Sequence, residues 1–111
     1  MSEPFEIAGF RVSLEGDEAL CRFVGRDEPG ADPPPNLEQG FRDALQPGGR
    51  LAGKRLVVSL DTTPAMSSRQ LGSLLAIHRA AGADQKLVVR GVRRNVRQLF
   101  DLTRMDKFFD Y

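Results

Sequence analysis

The chain has 111 residues, of which 41% are hydrophobic and 28% are charged, which is typical of one globular domain. The 16 Lys and Arg residues nearly balance the 15 Asp and Glu residues, and the net charge of +1 argues against a nucleic-acid binder that acts through bulk charge. One cysteine and one histidine, Cys21 and His78, exclude an intramolecular disulfide and a histidine-rich metal site. We expect no metal and no cofactor.

The amino terminus has neither the basic nor the apolar segment of a signal peptide. No apolar run approaches the roughly 20 residues that a membrane-spanning helix needs. These features predict a cytoplasmic protein without membrane insertion. The sequence contains no signal for an oligomeric state.

Alternating apolar and polar residues predict a strand over 10–14 and a second strand over 19–24, joined by a polar hairpin turn. The proline-rich segment 25–35 predicts a loop. Asn36 is a candidate cap for a helix over 37–45, whose apolar residues recur at helical spacing.

The nearly continuous apolar run at 56–60 predicts a central strand covered on both faces. A polar loop follows it, and Ser67 and Ser68 are candidate caps for a helix that runs to about Ala81, where Gly82 ends it. The remaining predicted elements are a strand over 86–90, a helix over 93–102 and a short edge strand over 107–109.

The predicted order is therefore β-β-α-β-α-β-α-β, in a single domain over 1–111. Strand–helix–strand units require right-handed crossovers and parallel strands, whereas the first hairpin adds an antiparallel edge. The fold class is α/β, with a mixed sheet and helices mainly on one face.

Sites in α/β sheets lie at the carboxyl ends of parallel strands, on loops that enter helices. The loop after the strand over 56–60 is such a place, and it carries Asp61, Thr62 and Thr63 before the helix start at Ser67 and Ser68. A phosphate on Ser68 would lie near a helix amino terminus, where free N–H groups and the helix dipole stabilise negative charge. The alternative is that both serines serve only as helix caps.

Other residues are predicted to be structural. His78 shares an apolar helix face with leucines, so we expect it to be partly buried at the edge of the core. Cys21 lies inside an apolar strand, so we expect a small core residue there. Arginines cluster near residues 90–104, but no aromatic residues interleave with them, and we expect no nucleic-acid partner. No phosphate loop and no hydrolase elbow is present, so we expect no enzyme activity.

The segment 56–75, LVVSLDTTPAMSSRQLGSLL, resembles the core of STAS domains, the fold of bacterial anti-sigma factor antagonists. In that family a hydrophobic strand leads through a short loop to Asp-Ser-[Ser/Thr]-Gly-Leu-Gly at a helix start. The family's next strand is similar to residues 86–92. Its closing helix and tail are similar to residues 93–109. Ser67 stands where the family has aspartate, and Gln70 stands where it has glycine.

The resemblance implies a non-enzymatic switch protein. Its protein partner would be a serine kinase with a histidine-kinase-like ATPase domain, itself an anti-sigma factor, which phosphorylates the serine at the helix start. By position that phosphoacceptor is Ser68. The implied partner-binding residues are Asp27, Asp61, Thr62, Thr63, Ser67, Arg69 and Gln70.

The resemblance leaves a second possibility open. The chain would then be a phosphorylation-independent STAS scaffold, or a module that binds a small ligand such as a nucleotide or lipid near the same helix start.

Overall fold

The computed structural model describes residues 3–7, 9–23, 36–61, 66–82 and 86–111. These residues form one six-stranded mixed sheet and three α-helices, so the α/β class is confirmed. The strands are β1 (Phe5–Ile7), β2 (Phe10–Glu15), β3 (Glu18–Phe23), β4 (Arg55–Ser59), β5 (Leu87–Arg90) and β6 (Phe109–Asp110). The helices are α1 (Leu37–Leu45), α2 (Ser68–Ala81) and α3 (Arg94–Leu102).

The strands lie side by side in chain order. The first three strands pair antiparallel, and β3, β4, β5 and β6 pair parallel. Each parallel connection returns over a helix, as a crossover between parallel strands requires. The proline-rich segment 25–35, predicted as a loop, lies outside the described residues.

The element order differs from the predicted one at its start, because β1 was not expected. Gly9, at φ +87°, lies between β1 and β2, which pair antiparallel, and this left-handed conformation costs glycine little. The Arg50 guanidinium lies over the Phe5 ring of this strand, 4.8 Å from the ring centroid. The edge of the sheet is therefore β1, and the predicted hairpin, β2 with β3, lies inside it.

The last strand also differs from its predicted position at 107–109. Arg104 adopts a left-handed conformation at φ 57°, and residues Met105–Lys107 form a short 3₁₀ helix. The chain therefore turns before it can pair with β5, and β6 begins only at Phe109.

The core lies on one face of the sheet. Val12, Cys21, Val58 and Val89 are in register across four strands, and all are buried. The same cluster includes buried residues of all three helices, namely Leu37, Phe41, Leu74, Ala76, Ile77, Val96 and Phe100. The prediction that the helices lie mainly on one face is therefore confirmed.

Aromatic contacts join helices to the sheet within this core. The Phe10 ring of β2 meets the Phe41 ring of α1 edge-on, with centroids 5.8 Å apart. Phe100 of α3 lies 5.4 Å from Phe109 of β6. Such pairs contribute roughly 0.5–1.5 kcal/mol beyond the apolar area they bury.

The opposite face of the sheet carries charged side chains, yet β4 is buried there too. Val57 is fully buried although it lies outside the core cluster. Glu18 of β3 and Arg90 of β5 form an ion pair of 3.1 Å, and these strands flank β4. The pair therefore crosses β4 on the side where Val57 lies, and the prediction that this strand is covered on both faces is confirmed. Among the described helices, none is both long and apolar enough to cross a membrane.

Candidate functional site

The candidate site lies at the edge of the sheet where β3, β4 and β5 end. These strands are parallel, so their carboxyl ends meet at one edge. Asp61 follows β4, and Arg93 is the N-cap residue of α3 in the short turn after β5. The amino terminus of α2 comes from the same β4 connection.

Asp61 is the centre of a polar cluster at this edge. Arg22 binds its carboxylate with two hydrogen bonds, from Nε to Oδ1 at 3.2 Å and from Nη2 to Oδ2 at 3.4 Å. Ser59 donates from Oγ to Oδ1 at 2.8 Å. The Arg22 and Asp61 side chains are 39% and 49% exposed, so a partner could reach both.

These contacts fix the charge of Asp61. The hydrogen bonds from Arg22 and then from Ser59 lower the pKa of the Asp61 carboxyl below its usual value, and the positive charge of Arg22 acts in the same direction. The carboxylate is therefore ionised near neutral pH. It acts as a hydrogen-bond acceptor there, not as a proton donor.

The backbone of Asp61 is also held in place. Arg93 donates from Nη2 to the Asp61 carbonyl at 3.1 Å. The Leu60 N–H donates to the Arg90 carbonyl at 2.8 Å and extends the pairing of β4 with β5. Gly91, at φ +68°, packs so closely that a Cβ there would lie 2.9 Å from the Asp61 nitrogen. The turn into α3 therefore supports the position of Asp61.

The two serines at the start of α2 have different structural roles. Ser67 is the N-cap, and its Oγ accepts from the Gln70 N–H at 3.1 Å. The Gln70 Oε1 accepts in return from the Ser67 N–H at 3.2 Å, which completes a capping box. The apolar residues at the adjoining positions, Met66 and Leu71, both pack against the core. The cap is therefore anchored by polar and apolar contacts.

Ser68 is the first helical residue, and it is exposed. Within the described ranges its side chain makes no hydrogen bond, so its hydroxyl takes no part in the cap. The Arg69 side chain is half-buried and has contacts of its own. The expectation that Ser67 can cap this helix is confirmed, whereas the predicted cap of α1, Asn36, makes no side-chain capping bond.

The predicted site residues fall into three groups. Asp61 belongs to the polar cluster, and the residues Ser67, Ser68, Arg69 and Gln70 begin α2. Asp27, Thr62 and Thr63 lie outside the described residues.

Sequence reasoning missed Arg22 and Arg93 as partners of Asp61. Arg22 could have been found, because the alternation of buried and less buried residues in β3 places its side chain on the face opposite the core, near the end of that strand. The capping role could have been assigned to Ser67 alone, since Ser67-Ser68-Arg69-Gln70 matches the capping-box pattern.

Cys21 lies in the core, as predicted, whereas His78 is buried more completely than the partly buried position predicted for it. Cys21 is fully buried, and burial raises the pKa of its thiol to about 12, so the thiol is protonated at neutral pH. His78 is 5% exposed, and its ring lies 5.4 Å from the Phe108 ring in an edge-on contact. In the described part of the chain, no three His, Cys, Asp or Glu residues are grouped closely enough to hold a metal ion.

The site therefore combines an ionised carboxylate, exposed guanidinium groups and an exposed hydroxyl at a helix start. This chemistry suits recognition of a charged partner. No protein-family model matches the chain, and no curated protein matches its sequence.

Proposed function

We propose that this chain is a non-enzymatic regulatory binding domain of the STAS type, which acts as an anti-sigma factor antagonist. Its partner is a serine kinase with a histidine-kinase-like ATPase domain. The partner contacts the edge formed by Asp61 and the start of α2, and phosphorylation of Ser68 releases it.

The observation that supports this proposal most directly is the division of roles between Ser67 and Ser68. Because Ser67 holds the cap, Ser68 can be modified without breaking the capping box. Its exposure leaves it open to a kinase. A phosphate there would bring about −1.5 to −2 charges to the helix amino terminus, which carries roughly half a positive charge.

The polar cluster supports partner binding at the same edge. Asp61 presents an ionised carboxylate whose position is set by Arg22, Ser59 and Arg93. A fixed carboxylate loses little freedom when it binds a cationic partner group. A phosphate on the neighbouring helix start would add about −1.5 to −2 charges to an edge that carries the Asp61 carboxylate and the guanidinium groups of Arg22 and Arg93.

A binding experiment tests the proposal. Wild-type protein and the variants Ser68→Ala and Ser68→Asp serve as baits in extracts of the native host, and captured proteins are identified by mass spectrometry. Gln98→Glu, which adds one negative charge on the exposed face of α3, is the matched control. We expect wild type, Ser68→Ala and the control to retain an ATPase-domain kinase and Ser68→Asp to lose it.

Phosphorylation by the captured kinase is then mapped by mass spectrometry. We expect phosphate on Ser68 and none on the Ser68→Ala variant. Phosphate on Ser67 would contradict the assignment of the acceptor. Capture of the same partners by every bait, with no kinase among them, would instead indicate a phosphorylation-independent scaffold.

A further inference from the structure

A cleft of about 520 Å³ lies at the edge of the sheet opposite Asp61, where β4 and β5 begin. Its volume is in the range of small-molecule sites, roughly 300–1,000 Å³. Three cations line it, namely Lys54, Arg55 and Lys86. Leu45, Leu56 and Leu87 also line it.

The described lining of this cleft does not neutralise its positive charge. Among the described residues, no carboxylate belongs to the lining. Glu18, which pairs in register with Arg55, is bound instead to Arg90. Within the described ranges, neither Arg55 nor Lys86 forms an ion pair, and both residues are exposed.

Lys54 is held at the cleft by a hydrogen bond from its Nζ to the Gly16 carbonyl, at 2.5 Å. That carbonyl is neutral, so the bond fixes the ammonium group without cancelling its charge. Because one cation is already positioned, less side-chain freedom is lost when an anion binds.

Two helix carboxyl termini oppose this positive charge. Leu45 ends α1 and Ala81 ends α2, and both line the cleft. Each terminus carries about half a negative charge. In the described part of the lining, the three cations therefore leave an excess of roughly two positive charges.

The apolar surface decides which anion fits. Leu45 is half-buried and presents apolar surface to the cleft, whereas Leu56 and Leu87 border the cleft but are almost fully buried. A fully hydrated inorganic ion would leave the exposed part of Leu45 in water. We propose that the cleft binds an organic anion that joins a phosphate, sulfonate or carboxylate group to an apolar body.

Two fluorescent dyes that differ by one charged group test this assignment. 8-Anilinonaphthalene-1-sulfonate carries a sulfonate, whereas N-phenyl-1-naphthylamine has the same rings without it. We expect saturable binding of the sulfonate dye to the folded protein, with at least about tenfold weaker binding of the neutral dye. Raising the salt concentration from about 50 to about 500 mM should weaken only the charged dye.

Charge-neutralising variants locate the site. We expect Arg55→Gln combined with Lys86→Gln to weaken the sulfonate dye at least about fivefold. The matched control, Arg11→Gln combined with Arg94→Gln, removes the same charge from exposed residues outside the cleft lining and should change binding less than about twofold.

Amide chemical shifts recorded during the titration provide the second readout. Shifts at Gly53, Leu56 and Leu87 would support the proposal. Equal binding of the two dyes, equal effects of the two double variants, or shifts confined to the start of α2 would each overturn it. An absence of saturable binding up to about 1 mM sulfonate dye would also overturn it.

Discussion

Replacing Ser67 by alanine removes one half of the capping box at α2. The Gln70 N–H then loses its acceptor at 3.1 Å. Loss of such a cap costs about 1 kcal/mol, within a range of roughly 0.5–2 kcal/mol. For a domain of this length, that corresponds to a fall in Tm of about 4 °C.

The neighbouring serine should behave differently. Ser68 is exposed and takes no part in the cap, so Ser68→Ala should change the free energy of unfolding by less than about 0.5 kcal/mol. Ser67→Asp should preserve stability, because aspartate caps helices about as well as serine.

Urea denaturation followed by circular dichroism measures these differences. The slope of free energy against urea should be the same for all variants, since the area exposed on unfolding does not change. Equal losses in Ser67→Ala and Ser68→Ala, or a larger loss in Ser68→Ala, would refute the assigned division of roles. A loss in Ser67→Asp as large as in Ser67→Ala would refute the capping argument itself.

Three further predictions concern the backbone and the acid limit of stability. Gly91→Ala should lower the Tm measured by thermal denaturation more than Gly53→Ala does. Both glycines have positive φ, but of the two only Gly91 lies against another backbone segment. Similar losses of Tm in the two variants would contradict the close approach of Gly91 to Asp61. Arg104→Gly should raise the free energy of unfolding by about 0.5–1 kcal/mol, since Arg104 is a non-glycine residue at φ 57°, and a lower Tm would show that its side chain compensates for the strain. Asp61→Asn should flatten the loss of stability on acidification. The pKa of Asp61 is lower in the folded than in the unfolded protein, so Asp61 stabilises the folded state above its unfolded pKa and this stabilisation is lost as the pH falls through its folded pKa. If the free energy of unfolding of Asp61→Asn followed the wild-type curve between about pH 5 and pH 2, the ion pair would be contradicted.

The elements that sequence predicts well are those specified by local signals. The continuous apolar run of β4 and the serine and glycine that bound α2 each lie within a few residues of the element they define. β1 has three residues, too few for an alternation to be distinguished, and it pairs only with β2. Its existence depends on a partner strand rather than on its own composition.

The same distinction applies to the candidate site. Asp61 and Ser68 could be predicted because each lies next to a recognisable element boundary along the chain. Arg22 reaches Asp61 from 39 positions away, and Arg93 reaches it from 32 positions away. Only the parallel register of the strands brings these arginines to Asp61, and that register cannot be obtained from local periodicity.

The shortness of the two outermost strands has a consequence for association between molecules. An unpaired strand edge offers N–H and carbonyl groups on which another chain can extend the sheet. Here β1 has three residues and β6 has two, so each edge offers few such groups. The six-residue strand β2 is paired with β3 along its whole length and with β1 at Phe10, Arg11 and Val12. The terminal strand β1 thus shields the first half of β2 from edge-to-edge aggregation, a role distinct from any contribution to the core.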